Sequence, residues 1–310
     1  MLVQIINTSI IQQREKKTRA LIALAIVSFL WGTTWVASRQ GVKYMPALQL
    51  AGIRQFLAGA LYVIYFLFKG NTWPRGKEWI NILILSVLNL FLTNGLTTVG
   101  VKYISGGLGA IIAAIFPLWL VIIDFLRKKP GVSNKVLLGL LFGFGGICVI
   151  FYEHLKDFFD INFRFGIIIS LIASICWAFG TLYTKRQARE FNPYFSIGLQ
   201  MLISGVLLFT VSSATGMNIP MSKIPAQSWI AIIYLVVFGS VISFMAYLYA
   251  LQNLPTAQVS IYAYINPVVA VLFGSLLFGE KLTVFIGAGG LITLYGVYLV
   301  NESFWKKNRN

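Results

Sequence analysis

Long apolar runs alternate with short polar connections along almost the whole chain. The runs fall at 20–38, 47–68, 79–100, 105–126, 134–152, 164–185, 194–216, 228–250, 256–279 and 283–301. Each is about 20 residues, enough for a helix to cross a bilayer core. No connection is long enough to hold a soluble domain. A membrane β-barrel would instead show segments of about ten residues alternating between lipid-facing and lumen-facing side chains. The pattern therefore predicts an all-α integral membrane protein with ten transmembrane helices. The first run follows a basic segment and ends near "VAS", but it is longer than a signal-peptide core, so it is counted as a helix of the mature protein.

Composition agrees with that pattern. Of 310 residues 58% are hydrophobic and only 11% charged, against about 25% charged in soluble domains. The net charge of +16 would fit a nucleic-acid partner if it were clustered, but it is sorted by connection. Alternate connections, with both tails, carry 17 Lys and Arg, the opposite set carries 7, and Arg54 lies within a run. That asymmetry places both termini in the cytoplasm, with a secondary attraction to anionic membrane lipids. No nucleic-acid partner is implied. Cys148 and Cys176 both lie in apolar runs and match no metal spacing, so neither a metal nor a cofactor is expected.

A repeat underlies the ten runs. "WGTTWVASRQGVKYMPALQLAGIRQFLAG" resembles "WAFGTLYTKRQAREFNPYFSIGLQMLISG", pairing Trp31 with Trp177 and Gly59 with Gly205 at an offset of 146. Farther on the offset is 150, pairing Trp79 with Trp229, Pro117 with Pro267, Gly139 with Gly289 and Gly146 with Gly296. Five helices per copy is an odd number, so the second copy enters the membrane from the opposite side. Two inverted five-helix repeats, 20–152 and 164–301, with tails 1–19 and 302–310, are the expected organisation. Such repeats place a substrate near the midplane between them, which favours a carrier over an enzyme or a scaffold.

Several segments resemble the drug/metabolite transporter superfamily, and its EamA-type members in particular. They are "FLWGTTWVASR", Pro46 followed eight residues later by Arg54, "FPLWLVIIDFL", and "INPVVAVLFGSLLFGEKLT". "IIDFLRKKP" departs from the glycine–glutamate ending found at the equivalent place in the second half. The resemblance spans residues 20–301 and implies a bacterial inner-membrane carrier, often an exporter, of amino acids or other small metabolites. It leaves open a carrier of phosphorylated or nucleotide-linked solutes, which would call for several cavity cations.

Polar residues inside the runs form stripes. Ser86, Asn89, Thr93 and Thr97 recur at helical spacing, as do Ser240, Ser243 and Tyr247. Hydroxyls and amides in hydrocarbon need a partner, either a neighbouring helix or a ligand. Gly106, Gly109, Ala113 and Pro117 correspond to Thr256, Ser260, Ala263 and Pro267, a small-residue stripe suited to close packing. Tyr262 and Asn266 lie one turn apart beside Pro267; the amide could contact a ligand or cap a freed carbonyl. The glycine-rich runs 139–146 and 287–296 suit close packing within one chain or in a homodimer. Arg54 is costly in lipid and is a functional candidate by default; its fork suits a carboxylate, and bracing loop carbonyls is the alternative. Asp124 has Arg127 and Lys128 nearby, and His154 sits at an outer helix end. Trp31, Trp35 and Ser38 share one helix face, as do Trp177, Thr181 and Thr184. The expected substrate-binding set is Trp31, Trp35, Arg54, Asn89, Thr93, Trp177, Ser243, Tyr247, Tyr262 and Asn266.

Overall fold

The structure is a computed structural model that describes residues 2–126, 134–153, 159–187, 191–254, 259 and 262–307. Among these, regular structure is entirely helical. In chain order the apolar helices are α1 (Leu2–Gly41), α2 (Ala47–Phe68), α3 (Lys77–Tyr103), α4 (Gly106–Ala113 continuing as Phe116–Leu126), α5 (Asn134–Glu153), α6 (Ile161–Gln187), α7 (Pro193–Ala214), α8 (Ala226–Asn253), α9 (Tyr262–Phe278) and α10 (Val284–Lys307). Six of them, α1, α2, α3, α6, α7 and α8, are long and apolar enough to cross a membrane; the other four hold shorter apolar stretches. Arg127, Lys128, His154, Thr256 and Ser260 lie outside the described residues, as does the side chain of Asp124.

Two helix pairs form the most extensive contacts, α2 with α7 and α5 with α10. Glycine makes both possible. A methyl added at Gly205 would sit 2.7 Å from the Phe56 Cα, and one at Gly52 would sit 3.0 Å from the Phe209 backbone nitrogen. Gly198 packs on Tyr62 and Gly59 on Leu202 in the same way. In the second pair Gly146 meets Gly289 and Thr293, while Gly296 meets Gly139 and Gly143. Close backbone approach of this kind substitutes for hydrophobic driving force in lipid. The glycine-rich runs 139–146 and 287–296, one candidate for a homodimer seam, thus close on each other within one chain.

The remaining helices surround the centre. In the α4 interruption, Pro117 is the second residue of the second segment, where a missing N–H breaks no helical bond. Pro267, by contrast, lies inside α9. That helix ends at Gly279, whose φ of 64° is the left-handed conformation glycine adopts without penalty. The turn sends Glu280 back over Gly274, where any β-carbon would collide with its carboxylate. Glu280 there accepts bonds from the first two N–H groups of α4, at 3.2 Å from Gly106 and 3.4 Å from Gly107. The end of the segment "INPVVAVLFGSLLFGEKLT" is thus a clamp on a helix N-terminus, which favours negative charge.

The glycine seam makes a prediction of opposite signs. Gly205→Ala forces its methyl into the Phe56 backbone and should destabilise by about 1–3 kcal/mol. Gly145→Ala, whose methyl meets nothing within 4 Å, should be neutral or stabilise by up to about 1 kcal/mol. Thermal unfolding of the two purified variants checks the sign of each.

Candidate functional site

A tilted layer of aromatic rings crosses the centre of the bundle. Trp31 on α1 packs against Trp177 on α6 (5.9 Å between centroids), Phe244 and Tyr247 on α8 (5.2 and 5.1 Å) and Tyr262 on α9 (5.1 Å). Tyr247 and Tyr262 meet edge to face at 5.8 Å. Such contacts add about 0.5–1.5 kcal/mol each beyond burial. The polar edges are also fixed: the Trp177 Nε1 donates to the Tyr262 hydroxyl at 2.8 Å, and the Trp31 Nε1 donates to the Gly239 carbonyl at 3.2 Å.

A cavity lies on each side of this layer. The larger, about 130 Å³, is lined by Trp31, Trp35 and Ser38 of α1, Thr93 and Thr97 of α3, Arg54, Trp177, Tyr262 and Asn266, among others. The smaller, about 50 Å³, is lined by Asn89 of α3, Trp177, Thr181 and Thr184 of α6, and Tyr247. α3 runs from the smaller cavity at Glu78 to the larger at Thr98, and α6 runs the other way, from Ser170 to Thr184. Both cavities share Trp177 and Phe244 as a wall. The matched stripes of α1 and α6 therefore line opposite cavities, and their tryptophans meet between them.

Two stretches of wider helix set this geometry. Ser86–Leu92 in α3 and Leu235–Ile242 in α8 wind as π-helices, a form concentrated at functional sites. A hydroxyl closes each one. Thr93 Oγ1 donates to the Leu88 carbonyl at 2.7 Å and Ser243 Oγ donates to the Phe238 carbonyl at 2.5 Å. The α8 stretch also carries both groups that fix the site. Gly239 accepts from Trp31, and the Ser240 hydroxyl accepts from the Arg54 Nε at 3.0 Å. Gly239 must lack a side chain, because a β-carbon would lie 3.2 Å from the Arg54 Nη2 and still closer to Thr34. Arg54 is 6% exposed, and no ion pair among the described residues includes it.

The expected residues are thereby divided. Trp31, Trp35, Arg54, Thr93, Trp177, Tyr262 and Asn266 come together at the larger cavity, and Asn89 and Tyr247 at the smaller. Ser243 lines neither, being fully buried with its hydroxyl on the π-helix. The α3 stripe does not stay on one face, because the π-stretch shifts its register: Ser86 donates to the Gln200 carbonyl at 2.9 Å, Asn89 turns to Thr184 at 3.2 Å, and only Thr93 and Thr97 reach the larger cavity. Thr34, Asn94, Thr98, Ser170 and Ser174 also line it and were not among the expected residues. Ser174 and Ser170 stand one and two turns before Trp177, a spacing that could have marked them.

The EamA-like transporter family model matches residues 18–152 and again 164–302. The chain belongs to that family. It is accordingly a membrane transporter rather than an enzyme, of the drug/metabolite transporter type. It is 34% identical to the uncharacterized inner membrane transporter YedA of Escherichia coli (strain K12), over 85% of this chain and 83% of that one. It is 26% identical to the uncharacterized transporter YvbV of Bacillus subtilis (strain 168), over 92% of both. A solved crystal structure 16% identical in sequence superposes with a TM-score of 0.65, covering 93% of this chain and 97% of that one, which shows a shared fold.

The π-helix closure is directly testable. Ser243→Ala removes one of the two bonds that the Phe238 carbonyl accepts from Ser243, keeping the backbone N–H, and should lower stability by up to about 1 kcal/mol. Ser243→Thr, which retains the hydroxyl, should lose less, read as the difference in thermal midpoint between the two variants.

Proposed function

We propose that this chain carries small metabolites, amino acids and related carboxylates among them, across a bacterial inner membrane by alternating access. The observation that carries this reading is the pair of cavities on opposite faces of one aromatic layer, with Trp31 and Trp177 as its matched halves. In the proposed arrangement all ten helices cross the bilayer as two inverted five-helix repeats, 20–152 and 164–301. The two family matches support this, as do the π-stretches, which recur at corresponding positions of α3 and α8. The excess of basic residues in alternate connections puts both termini in the cytoplasm, and the name of YedA supports the inner membrane. The larger cavity then faces outward and the smaller one inward. Rocking the halves about the aromatic layer would exchange them.

Substrate contacts come from Trp31, Trp35, Arg54, Thr93, Trp177, Tyr262 and Asn266 on the outward side, and from Asn89 and Tyr247 on the inward side. Export is the direction the family resemblance implies. Phosphorylated or nucleotide-linked solutes fit less well, because one cation and about 130 Å³ offer little to a polyanion of that size. A homodimer would use surfaces other than the glycine seams, which are occupied within the chain.

Two measurements test the proposal. In a background with Cys148→Ser and Cys176→Ser, Thr97→Cys should react with a membrane-impermeant thiol reagent from outside intact cells. Thr184→Cys should react only in inside-out vesicles, and a transported solute should alter both rates. Labelling of both from the same side would sink the alternating-access arrangement. In proteoliposomes, Arg54→Lys should reduce flux of a carboxylate solute about tenfold or more, because an ammonium loses the bidentate fork. Purified protein that moves no member of an amino-acid and metabolite panel would refute the carrier function itself.

A further inference from the structure

Among the described residues lining the larger cavity, Arg54 is the sole charged side chain. It is buried and unpaired with any described carboxylate, and Ser240 takes only its Nε. Glu78 lines the other cavity, beyond the aromatic layer, and accepts from the Arg75 backbone at 2.7 Å. The rest of the larger cavity is aromatic or neutral. Trp31, Trp35, Phe116, Trp177, Phe244 and Tyr262 supply ring surface, and hydroxyls and two amides supply the polar contacts. Its volume of about 130 Å³ is close to that of a cavity known to hold benzene, roughly 150 Å³.

We propose that the site selects a small organic monoanion, one carboxylate on an aromatic or branched apolar body, over the zwitterion or cation with the same body. This rests on the carrier reading above and narrows it. In a poorly screened site, charge balance dominates selectivity. A monocarboxylate brings the Arg54 site to neutrality through a bidentate pair. A zwitterion leaves its ammonium beside the guanidinium with no carboxylate to meet it. An amine adds a second positive charge, and aromatic faces offset that repulsion only in part. A phosphomonoester carries up to two negative charges against one cation, so it leaves excess charge of the other sign.

The test uses a matched series on the purified full chain: 3-phenylpropionate, phenylalanine, phenethylamine and phenyl phosphate, titrated at neutral pH and followed by tryptophan fluorescence. The tryptophans at the cavity make binding visible. 3-Phenylpropionate should bind about tenfold or more tighter than phenylalanine, with phenethylamine weakest. Arg54→Gln should weaken 3-phenylpropionate by a similar factor and abolish the ranking, and Arg54→Lys should restore it in part. The inference is overturned if phenylalanine, phenethylamine or phenyl phosphate binds as tightly as the monocarboxylate. It is equally overturned if none of the four binds, or if Arg54→Gln leaves the order intact. Should Arg54→Gln fail to fold, the wild-type ranking alone decides. Flux of the metabolite panel is measured separately: flux without the ranking sinks this inference and spares the carrier, whereas the ranking without flux does the reverse.

Discussion

Gly239 and Ser240 hold together the two residues on which the centre of this protein depends. The Gly239 carbonyl fixes the Trp31 indole and the Ser240 hydroxyl fixes the Arg54 guanidinium. In an ordinary helix the Gly239 carbonyl would accept the N–H of Ser243, four residues on, which here goes to Phe238 and Ser240 instead. A π-helical turn spaces the backbone differently and leaves groups free for such contacts. In the wider turn the Ser243 backbone N–H takes the Phe238 carbonyl five residues back, and the Ser243 hydroxyl adds a second bond to the same oxygen. Position and chemistry are thereby joined: loosening α8 locally would move the aromatic layer and the cation together.

Much of this was legible in the pattern of residues. Apolar runs locate most of the helices within a few residues, because a helix meant for lipid must be apolar along that length; α1 is the exception, beginning at Leu2, well before its run at 20. The glycine pairs 59/205 and 146/296 were visible at the repeat offsets of 146 and 150, and both lie in seams where backbone meets backbone. Trp31, Trp35 and Ser38 stood out as a polar-edged face, and they do line a cavity. What was not legible has one main physical cause. A π-turn adds a residue to the helical repeat, so the spacing argument that grouped Ser86 with Thr97 assumed a regular helix where none exists. The same assumption put Ser243 at the site when its hydroxyl closes the turn. Ser170 and Ser174 escaped notice for a different reason: single serines in a helix can bond their own preceding turn, as Ser170 does with Gly166 at 2.7 Å, so their type carries little signal.

The two halves agree where helices pack and differ where the cavity needs chemistry. At the seams, the partners of Gly59 and Gly205 correspond, Leu202 to Phe56, and Gly52 and Gly198 both approach a matched backbone nitrogen, Phe209 and Val63, though Gly198 lies closer to Tyr62. Near the aromatic layer the correspondence breaks. Gly239 gives way to Asn89, and in exchange Thr34 gives way to Gly180, so that a small residue always faces a larger one. The space over Gly180 is filled by the Asn89 amide and that over Gly239 by Thr34. The swap preserves volume while moving an amide to the smaller cavity alone.

Arg54 has Gln200 as its counterpart, and that exchange has an electrostatic logic. A symmetric site would place two guanidiniums around one narrow layer, each buried and each raising the cost of the other. Retaining the charge in one half halves the desolvation penalty and still gives the cavity a sign. Gln200, being neutral, carries no such cost; its Nε2 donates to the Ser196 hydroxyl at 2.9 Å, while its Oε1 is buried beside the smaller cavity without a partner. Arg54 has only a neutral hydroxyl on its Nε, so under the proposal above its charge is left for a negative guest. The packing glycines recur in both halves, whereas the Arg54–Gln200 exchange leaves one of the two cavities with a cation and the other without one.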